Sequence, residues 1–402
     1  MFIVFLLILL LSGCISSCSS VKSSVNSSVE IINVGESFAN KRDVNLSKYA
    51  TSVEYIPLET SPMSMLIGVR NLKLRCLGDN VYIYDRNVAL ARPTCPVLCF
   101  SSTGKFIHPV GFLGNSEREY MNIKDVIVND ATGELVVVDW AKLIFYTEDG
   151  GYKRTAEVEN SGHMPIFING GSNRYMCYKC PTIFDDEHSY DEILFIDSLG
   201  RNLYRRRMPR LPVMHMPFNG MPATKGYKSS SIYKSDKGWA YLYSCKDSLY
   251  IINPDNGTVS VKYFVDYGKY ATDEYMGAGL WPMEEGVCDA EKFIALKVLY
   301  NKTTFPQIDK NYLRSNVIYD KSAKTTITLR YNSDYNLAGF TNDLDGGMPF
   351  YPIYIKDDKM YQMLDAIDFI EYAEVSNSAK MKEVAATLTE ESNPVLVVVT
   401  LK

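Results

Sequence analysis

Apolar, β-branched and aromatic residues recur along this chain in short runs, which are separated by turns that contain glycine or asparagine. Such runs are typical of buried strands, and such turns are typical of hairpins. One copy of the unit contains the runs Glu134–Asp139 and Leu143–Tyr146, followed by Asp149 and Gly150. The unit recurs about six times, at a period of roughly 45–65 residues. Radial repetition of this unit predicts an all-β fold, a six-bladed β-propeller.

Each predicted blade contains four strands, which we name A to D from the axis outward. In the first two blades they are expected near residues 70–77, 80–85, 96–101 and 105–111, and near residues 123–129, 134–139, 142–147 and 152–157. The A strands of the next three blades are expected near residues 165–169, 230–234 and 286–289. The last blade is expected to begin with strands near residues 351–356 and 359–364.

The last blade departs from this plan. Residues 379–390 have apolar positions at helical spacing, which predicts a short helical insert. Asn393 and Pro394 end the helix, and the apolar run Val395–Leu401 forms the next strand. We expect Ser52–Leu58, from near the other end of the chain, to supply the fourth strand. This exchange between the termini closes the ring and covers an open sheet edge.

The N-terminus carries an apolar run, Phe2–Leu11, which fits the apolar region of a signal peptide and is too short to span a bilayer. The sequence Leu11-Ser12-Gly13-Cys14 looks like a bacterial lipobox, in which the cysteine is lipidated. We therefore expect a signal peptide at residues 1–13, a lipidated Cys14 with a flexible tether at residues 14–44, and the propeller at residues 45–402. An ordinary secretory signal is the alternative.

The composition narrows the range of partners. The chain has 402 residues, a formal net charge of −5 and 46% hydrophobic residues, enough for a large core. It shows no basic stripe interleaved with aromatic residues, so we do not expect it to bind nucleic acid. We expect a monomer.

The cysteines give a weak signal. Cys177 and Cys180 form a single C-x-x-C motif without a second pair at zinc-ribbon spacing. Other cysteines lie inside apolar runs and are expected to be buried thiols. A disulfide between Cys95 and Cys99 stays open as an alternative.

Two terminal motifs resemble a known family. Val53-Glu54-Tyr55-Ile56-Pro57-Leu58-Glu59-Thr60 near the start, and Glu390-Glu391-Ser392-Asn393-Pro394-Val395-Leu396 near the end, are similar to those of the six-bladed β-propeller lipoproteins of Gram-negative gut bacteria. This is a family of NHL/TolB-like propellers. The resemblance covers nearly the whole mature chain and implies a propeller anchored in the cell envelope. It implies no defined activity.

Members of that family often carry a Gly-Pro-Gly-Glu-Tyr-like loop after the first blade. At this place the chain has Asn115-Ser116-Glu117-Arg118-Glu119-Tyr120, so only Glu119 and Tyr120 match. We include Arg118, Glu119 and Tyr120 among the candidate ligand-binding residues.

The lengths of the connections predict where a site lies. In a four-stranded blade the A–B and C–D turns lie on one face of the disc, the turn face, and they are short here. The B–C and D–A connections lie on the opposite face, the loop face. Most of the long connections are of this kind, at residues 86–95, 181–192, 209–229, 266–285, 301–314 and 333–350. Long loops on a rigid scaffold usually build binding sites, so we expect the site on the loop face.

Side chains in these loops suit a polyhydroxylated ligand. Trp140, Trp281 and Tyr120 can stack on the apolar face of a sugar ring, and Asp185 and His188 can make directional hydrogen bonds. We expect a glycan or a protein as the ligand. Calcium is an open alternative, although the acids at 185–187 are adjacent and lack the alternating spacing of an EF-hand.

Catalysis has little support in the sequence. The chain has no H-E-x-x-H, G-x-S-x-G or Walker motif, and we assign no catalytic residue and no metal ligand. We favour a non-catalytic binding module, anchored by lipid to the cell envelope, with the outer membrane as the expected membrane. The alternative is a metal-dependent enzyme of the lactonase or lyase type, which needs a ring of Asp, Glu, Asn or His at the loop-face ends of the A strands. A pure assembly scaffold is a third possibility.

Overall fold

The computed structural model describes residues 29–69, 71–86, 95–139, 141–158, 166–169, 174–179, 192–207, 213–218, 221–227, 231–234, 240–243, 248–253, 256–271, 279–300 and 314–402. The described chain begins with strand β1 (Glu30–Asn33) and helix α1 (Val34–Ala39). A 3-10 turn at Leu46–Lys48 leads into β2 (Ala50–Pro57).

The first three blades are four-stranded antiparallel sheets, and their strands follow one another in chain order. Blade one consists of β3 (Leu72–Leu77), β4 (Asn80–Asp85), β5 (Val97–Ser101) and β6 (Phe106–Val110). The short strands β7 (Phe112–Leu113) and β8 (Glu119–Tyr120) pair in parallel in the connection that follows. Blade two consists of β9 (Asp125–Asn129), β10 (Glu134–Asp139), β11 (Lys142–Thr147) and β12 (Tyr152–Glu157). Blade three consists of β13 (Ile166–Asn169), β14 (Arg174–Lys179), β15 (Glu192–Asp197) and β16 (Asn202–Arg207).

The hairpin of β17 (Val213–Phe218) and β18 (Met221–Tyr227) separates blades three and four. Blade four consists of β19 (Ser231–Lys234), β20 (Ala240–Tyr243), β21 (Ser248–Ile252) and β22 (Val259–Asp266), followed by a 3-10 turn at Gly268–Tyr270. Blade five consists of β23 (Leu280–Asp289), β24 (Phe293–Tyr300), β25 (Arg314–Asp320) and β26 (Thr325–Thr328). The short pair β27 (Tyr331–Asn332) and β28 (Leu337–Ala338) follows.

Blade six has the order β29 (Tyr354–Lys356), β30 (Lys359–Leu364), β31 (Val395–Leu401) and then β2. Strand β2 pairs antiparallel with β31, from Ser52 opposite Thr400 to Pro57 opposite Val395. The predicted six-bladed fold and its closure by the two ends of the chain are therefore confirmed.

A helical insert between β30 and β31 is also confirmed, but it contains two helices instead of one. Helix α2 (Ala366–Val375) precedes α3 (Ala379–Ala385), which ends earlier than the expected residue 390. The Ser378 hydroxyl caps α3 by accepting the backbone N–H of Met381 at 3.1 Å. Phe369 and Met381 are fully buried, so both helices close the outside of the last blade.

A repeated glycine in the C–D turns explains how the blades pack side by side. Gly104, in the turn of blade one, has φ +84, and a Cβ there would lie 2.2 Å from the carbonyl oxygen of Pro57 on the outer strand of blade six. Gly200, in blade three, has φ +80, and a Cβ there would lie 2.0 Å from the carbonyl oxygen of Glu157 on the outer strand of blade two. These turns need glycine, because the backbone of the preceding blade lies against them.

The core lies between neighbouring blades. Leu72, Leu74 and Cys76 of blade one pack with Met363 and Leu396 of blade six in one cluster. Equivalent clusters lie between blades one and two, two and three, four and five, and five and six. Inner strands such as β10 and β11 therefore bury side chains on both of their faces, and this explains their nearly continuous apolar runs, whereas the outer strand β16 is mostly exposed.

The expected boundary between tether and propeller at residue 45 is too late. Strand β1 pairs in parallel with β22 and becomes a fifth strand on blade four. Ile32 and Val34 are fully buried, and Phe38 packs with them between blades four and five. The alternating apolar residues in this segment let it cover the outer edge of a blade, so residues 30–44 belong to the packed body.

Cysteines in the described part of the chain are thiols. Cys95 and Cys99, the open disulfide candidate, are both buried thiols and form no disulfide, and Cys76 and Cys177 are also buried thiols. Cys180 and Cys245 lie outside the described residues. None of the helices in the described part of the chain is long and apolar enough to cross a bilayer.

Candidate functional site

Tyr120 is a structural residue and does not present its ring to a ligand. Its side chain is fully buried between blades one and two. Its hydroxyl donates to the carbonyl of Val110 at 2.5 Å and accepts the N–H of Val97 at 2.9 Å. Both hydrogen-bonding capacities are thus used inside the protein, and the expectation that Tyr120 stacks on a ligand is wrong.

The two residues before Tyr120 shape the same connection. The Glu119 carboxylate accepts the N–H of Ser116 at 3.0 Å and so closes the turn. The Lys142 ammonium donates to the carbonyl of Glu119 at 2.6 Å, which joins this D–A connection to the B–C turn of blade two. Arg118 is exposed, with its guanidinium carbon 5.1 Å from the ring centroid of Tyr152. Of the three candidate residues Arg118, Glu119 and Tyr120, Arg118 is the exposed one.

The remaining predicted site residues are not brought together by the described part of the chain. The backbone of Trp281 lies in strand β23, opposite Leu299, and not in the loop where the sequence analysis placed it. Trp140, Asp185 and His188 lie outside the described residues. Their roles as ligand-binding residues stay predictions.

The inner ring of strands has a gap on the loop face beside blade six. The A strand of this blade, β29, has three residues and pairs only with the turn-face half of β30. On the loop-face side of β29, the N–H of Tyr351 donates to the side-chain oxygen of Gln362 at 3.0 Å instead of to the backbone of a neighbouring strand. In blade five the pairing of β23 with β24 is irregular. Pro282 pairs with Val298 and Val287 pairs with Leu296, so the four residues 283–286 lie opposite the single residue Lys297. We call this opening the axial notch.

Cationic side chains surround the axial notch. Lys73 and Arg75 alternate with buried leucines along β3 and are half-buried. Lys297 is half-buried on β24, with its ammonium 5.3 Å from the ring centroid of Tyr351. Arg314 begins β25 and is exposed. Cations therefore lie on the strands that border the notch, whereas the side chains of Glu284 and Glu285, within residues 283–286, lie outside the described part of the structure.

Burial and neighbouring cations lower the pKa values of both lysines of the notch. Burial is the main cause that lowers the pKa of Lys73 from 10.5 to about 8, and the Arg86 and Arg75 guanidinium groups lower it further. Burial also lowers the pKa of Lys297 to about 8. Lys73 and Arg314 add to this effect, whereas the Cys288 thiol opposes it. The charged form of each lysine is thus less favourable here than in water.

Two other cations near the axis are neutralised. Arg75 donates to the Asp125 carboxylate at 2.8 Å and to the carbonyl of Val126 at 3.0 Å. Lys356 forms an ion pair of 2.7 Å with Asp130 of blade two. The close neighbour of Lys297 is the Tyr351 ring.

The rim of the loop face is apolar where blade six meets blade one. In the D–A connection at residues 58–71, Met63, Met65 and Ile67 are 69%, 43% and 68% exposed. The connection is held against helix α2, because the Val69 N–H donates to Asp365 at 3.0 Å. Ile367 of that helix is also exposed, so an apolar surface lies beside the notch.

A second concave region lies on the turn face between blades five and six. It has a volume of about 400 Å³ and is lined by Tyr49, Glu291, Lys292, Asp357, Asp358 and neighbouring residues. Its charges have both signs and are mostly solvated. Within the described ranges, no group of three or more His, Cys, Asp or Glu side chains is placed to hold a metal ion.

The sequence contains one signal for the cations of the notch, the alternation of residues along β3. Lys73 and Arg75 stand in Leu72-Lys73-Leu74-Arg75-Cys76, where strict alternation puts both cations on one side of an A strand. The contribution of Lys297 could not be foreseen, since it depends on the irregular pairing of β23.

Comparison with known proteins gives a family but no activity. A family model described as "Domain of unknown function (DUF4934)" matches residues 29–400, and the chain belongs to this family. The match starts just before β1, in agreement with the packing of that strand. None of the curated proteins matches this chain.

Solved structures are similar in fold. A Bacteroides fragilis protein described as a "putative exported protein" has a TM-score of 0.64 and 16% identity, with 90% of this chain and 98% of that chain covered. A protein of unknown function from Bacteroides caccae has a TM-score of 0.36 and 11% identity, over 70% of this chain and 81% of that chain. At these identities the first likeness shows the fold alone, and the second carries no argument.

Proposed function

We propose that this protein is a lipid-anchored, extracytoplasmic β-propeller that binds a ligand on its loop face without catalysing a reaction. The axial notch is the observation that supports the proposal best, because the short β29 and the irregular pairing of β23 interrupt the inner strands on the loop face. A glycan is the first candidate ligand. Trp140, Trp281, Asp185, His188 and Arg118 remain the proposed contacts around the opening.

Export and anchoring are supported by two independent features. The sequence from Phe2 to Cys14 fits a lipoprotein signal. The B. fragilis protein of similar fold is described as exported. A multiply acylated cysteine anchors a protein stably, whereas one acyl chain binds membranes only marginally. Cell fractionation of the parent and a Cys14→Ala variant tests the anchor, and unchanged membrane association of the variant would contradict it.

A glycan array probed with the purified propeller tests the function. We expect selective binding that weakens about ten- to a hundred-fold in Trp281→Ala, the cost of losing an aromatic stacking platform. Trp239→Ala is the matched control, since Trp239 is assigned to no site. Failure of the parent to bind any glycan would contradict the glycan ligand.

A protein partner is the second candidate, and the exposed Met63, Met65 and Ile67 favour it. Apolar rims of this kind are common in protein–protein interfaces. A Met65→Asp and Ile67→Asp double variant should lose a partner that docks on this rim, while it keeps glycan binding at the notch. Crosslinking in whole cells, with the parent and this variant, separates the two candidates.

A further inference from the structure

We propose that the exposed face of helix α2, together with Met63, Met65 and Ile67 in the connection beside it, binds a basic protein segment that carries Lys or Arg next to apolar residues. We call this area the α2 surface. This inference rests on the proposed function, since it specifies the protein partner that is the second candidate ligand of the loop face. Glycan binding at the axial notch is independent of it.

Exposed apolar side chains are concentrated on the α2 surface. In the described part of the chain fourteen large apolar side chains are exposed, and five of them lie in residues 63–67 and in α2. Those of the helix are Ile367 and Val375, which are 43% and 56% exposed. Apolar side chains that are grouped in this way often mark a protein contact.

The fold holds this surface in a fixed position. The Leu66 side chain is buried in the core, and its N–H donates to the Asn393 side chain at 2.8 Å, so its two exposed neighbours have a fixed backbone. The Val69 N–H donates at 3.0 Å to Asp365, the N-cap residue of α2. Arg70, which follows, lies outside the described residues. A preformed surface loses little conformational entropy when a partner binds.

The charges of α2 are all negative. Asp368, Glu371 and Glu374 follow one another at a spacing of three residues, and the sequence from 360 to 379 contains no Lys, Arg or His. The sequence from 58 to 69 contains no cation either. Among the residues that the structure describes, no Lys or Arg forms an ion pair with these three carboxylates.

The helix itself gains nothing from these carboxylates. Like charges three residues apart destabilise a helix. Burial, followed by the carboxylates of Asp365 and Glu371, raises the pKa of Asp368. Glu374 lies in the last turn of α2, which contains no basic residue, and the helix dipole disfavours a negative charge there. Cations of a bound partner relieve both effects, so charge complementarity indicates a basic partner.

The same charges disfavour two other occupants of the α2 surface. An anionic bilayer repels carboxylates, and the amphipathic helices that bind such bilayers carry Lys or Arg on their polar face. A second copy of this chain that docked symmetrically would bring the same acidic face of α2 onto itself. A basic protein segment meets neither obstacle.

Fluorescence anisotropy at pH 7 in about 150 mM NaCl tests the inference with three labelled peptides of about fourteen residues. The peptides share one pattern of positions, filled with Leu and Lys, with Leu and Glu, or with Ser and Lys. We expect the parent to bind the Leu–Lys peptide at least about ten-fold more tightly than the other two. Glu371→Gln with Glu374→Gln should weaken this binding about 3- to 30-fold, and Met65→Ser with Ile367→Ser about 10- to 100-fold.

Asp79→Asn with Glu291→Gln is the matched control, because both residues are exposed in A–B turns on the turn face. This control also removes two negative charges and should alter affinity by less than about two-fold. The Glu371→Gln and Glu374→Gln double variant should melt at or above the temperature of the parent, because it removes like charges from one helix. A lower affinity in this variant then reports the loss of a contact and not the loss of the fold.

The outcomes separate this inference from the proposed function. Equal binding of the three peptides, preference for the Leu–Glu peptide, binding of none, or unchanged affinity in both α2-surface variants would overturn the basic partner. Binding to vesicles of phosphatidylglycerol and phosphatidylcholine, or self-association in sedimentation, would also overturn it if Met65→Ser with Ile367→Ser abolishes that binding. A parent that binds glycans on the array but no peptide keeps the proposed function. A parent that binds neither loses both proposals.

Discussion

Asn393 is the residue whose replacement we expect to weaken the closure of the ring most directly. It is fully buried just before the last strand, β31. Its side-chain amide donates to the carbonyls of Glu59 and Ser64, both at 2.7 Å, and its carbonyl oxygen accepts the N–H of Leu66 at 2.8 Å. One side chain thus ties the connection after β2 to the start of β31.

The magnitude follows from these three bonds. Asn393→Ala removes both donors and the acceptor together: the Ser64 carbonyl and the Leu66 N–H lose this partner, while the Glu59 carbonyl keeps the Ser64 hydroxyl at 2.7 Å. A net loss of about 1 kcal/mol for each bond gives a destabilisation of about 3 kcal/mol. Water that enters the space would reduce the loss, and the cavity left by the amide would increase it.

Urea unfolding followed by tryptophan fluorescence measures the change. Asn377→Ala is the matched control, because Asn377 is exposed just before α3 and should change the free energy of unfolding by less than about 0.5 kcal/mol. If Asn393→Ala also falls within about 0.5 kcal/mol of the parent, the closure does not depend on this side chain and the reasoning is refuted.

Three further predictions concern charge and closure. Lys297→Met should raise stability at pH 7, because the native pKa of about 8 lies below the ordinary 10.5 and the charged lysine is disfavoured in the folded state. The parent gains stability as pH rises from about 8 to 10.5, so the difference in melting temperature between variant and parent should be smaller at pH 10 than at pH 7. Asp320→Asn should destabilise the protein at pH 7, because hydrogen bonds from the Ala323 N–H, Lys48 and Tyr49 outweigh burial and lower the pKa of Asp320 from 3.8 to about 2. The stability that the Asp320 carboxylate contributes is lost as pH falls from 3.8 toward 2, so an equal destabilisation by the variant at pH 7 and pH 2 would contradict this prediction. Deletion of residues 394–402 removes the neighbour of β2 and should lower the melting temperature sharply and promote aggregation, so a truncated protein that melts like the parent would show another mode of closure.

The blades could be predicted from sequence because each strand keeps its apolar pattern within a few residues. Glu134–Asp139, for example, was located with its bounds as the structure has them. Closure of the ring was also predictable, because a last blade with three strands leaves an open sheet edge that a fourth strand must cover. The packing of the segment before residue 45 could not be predicted. Strand Glu30–Asn33 is short and follows a polar stretch, and its partner β22 lies more than two hundred residues away in sequence.

The candidate site was less predictable. Tyr120 has the side chain of a ligand-binding residue, and only its hydrogen bonds to Val97 and Val110 show that it belongs to the core. The axial notch arises because β29 is short and β23 is irregular, and neither feature has a sequence motif. Convergence of side chains from different blades is a property of the ring and not of any local pattern.

A crystal structure of the propeller with the glycan that it binds best tests the central claim most directly. We predict density for the saccharide on the loop face, at the axial notch. Saccharide bound at the turn-face cavity near Asp357 and Asp358, or elsewhere away from the axis, would contradict the claim that the axial notch is the binding site.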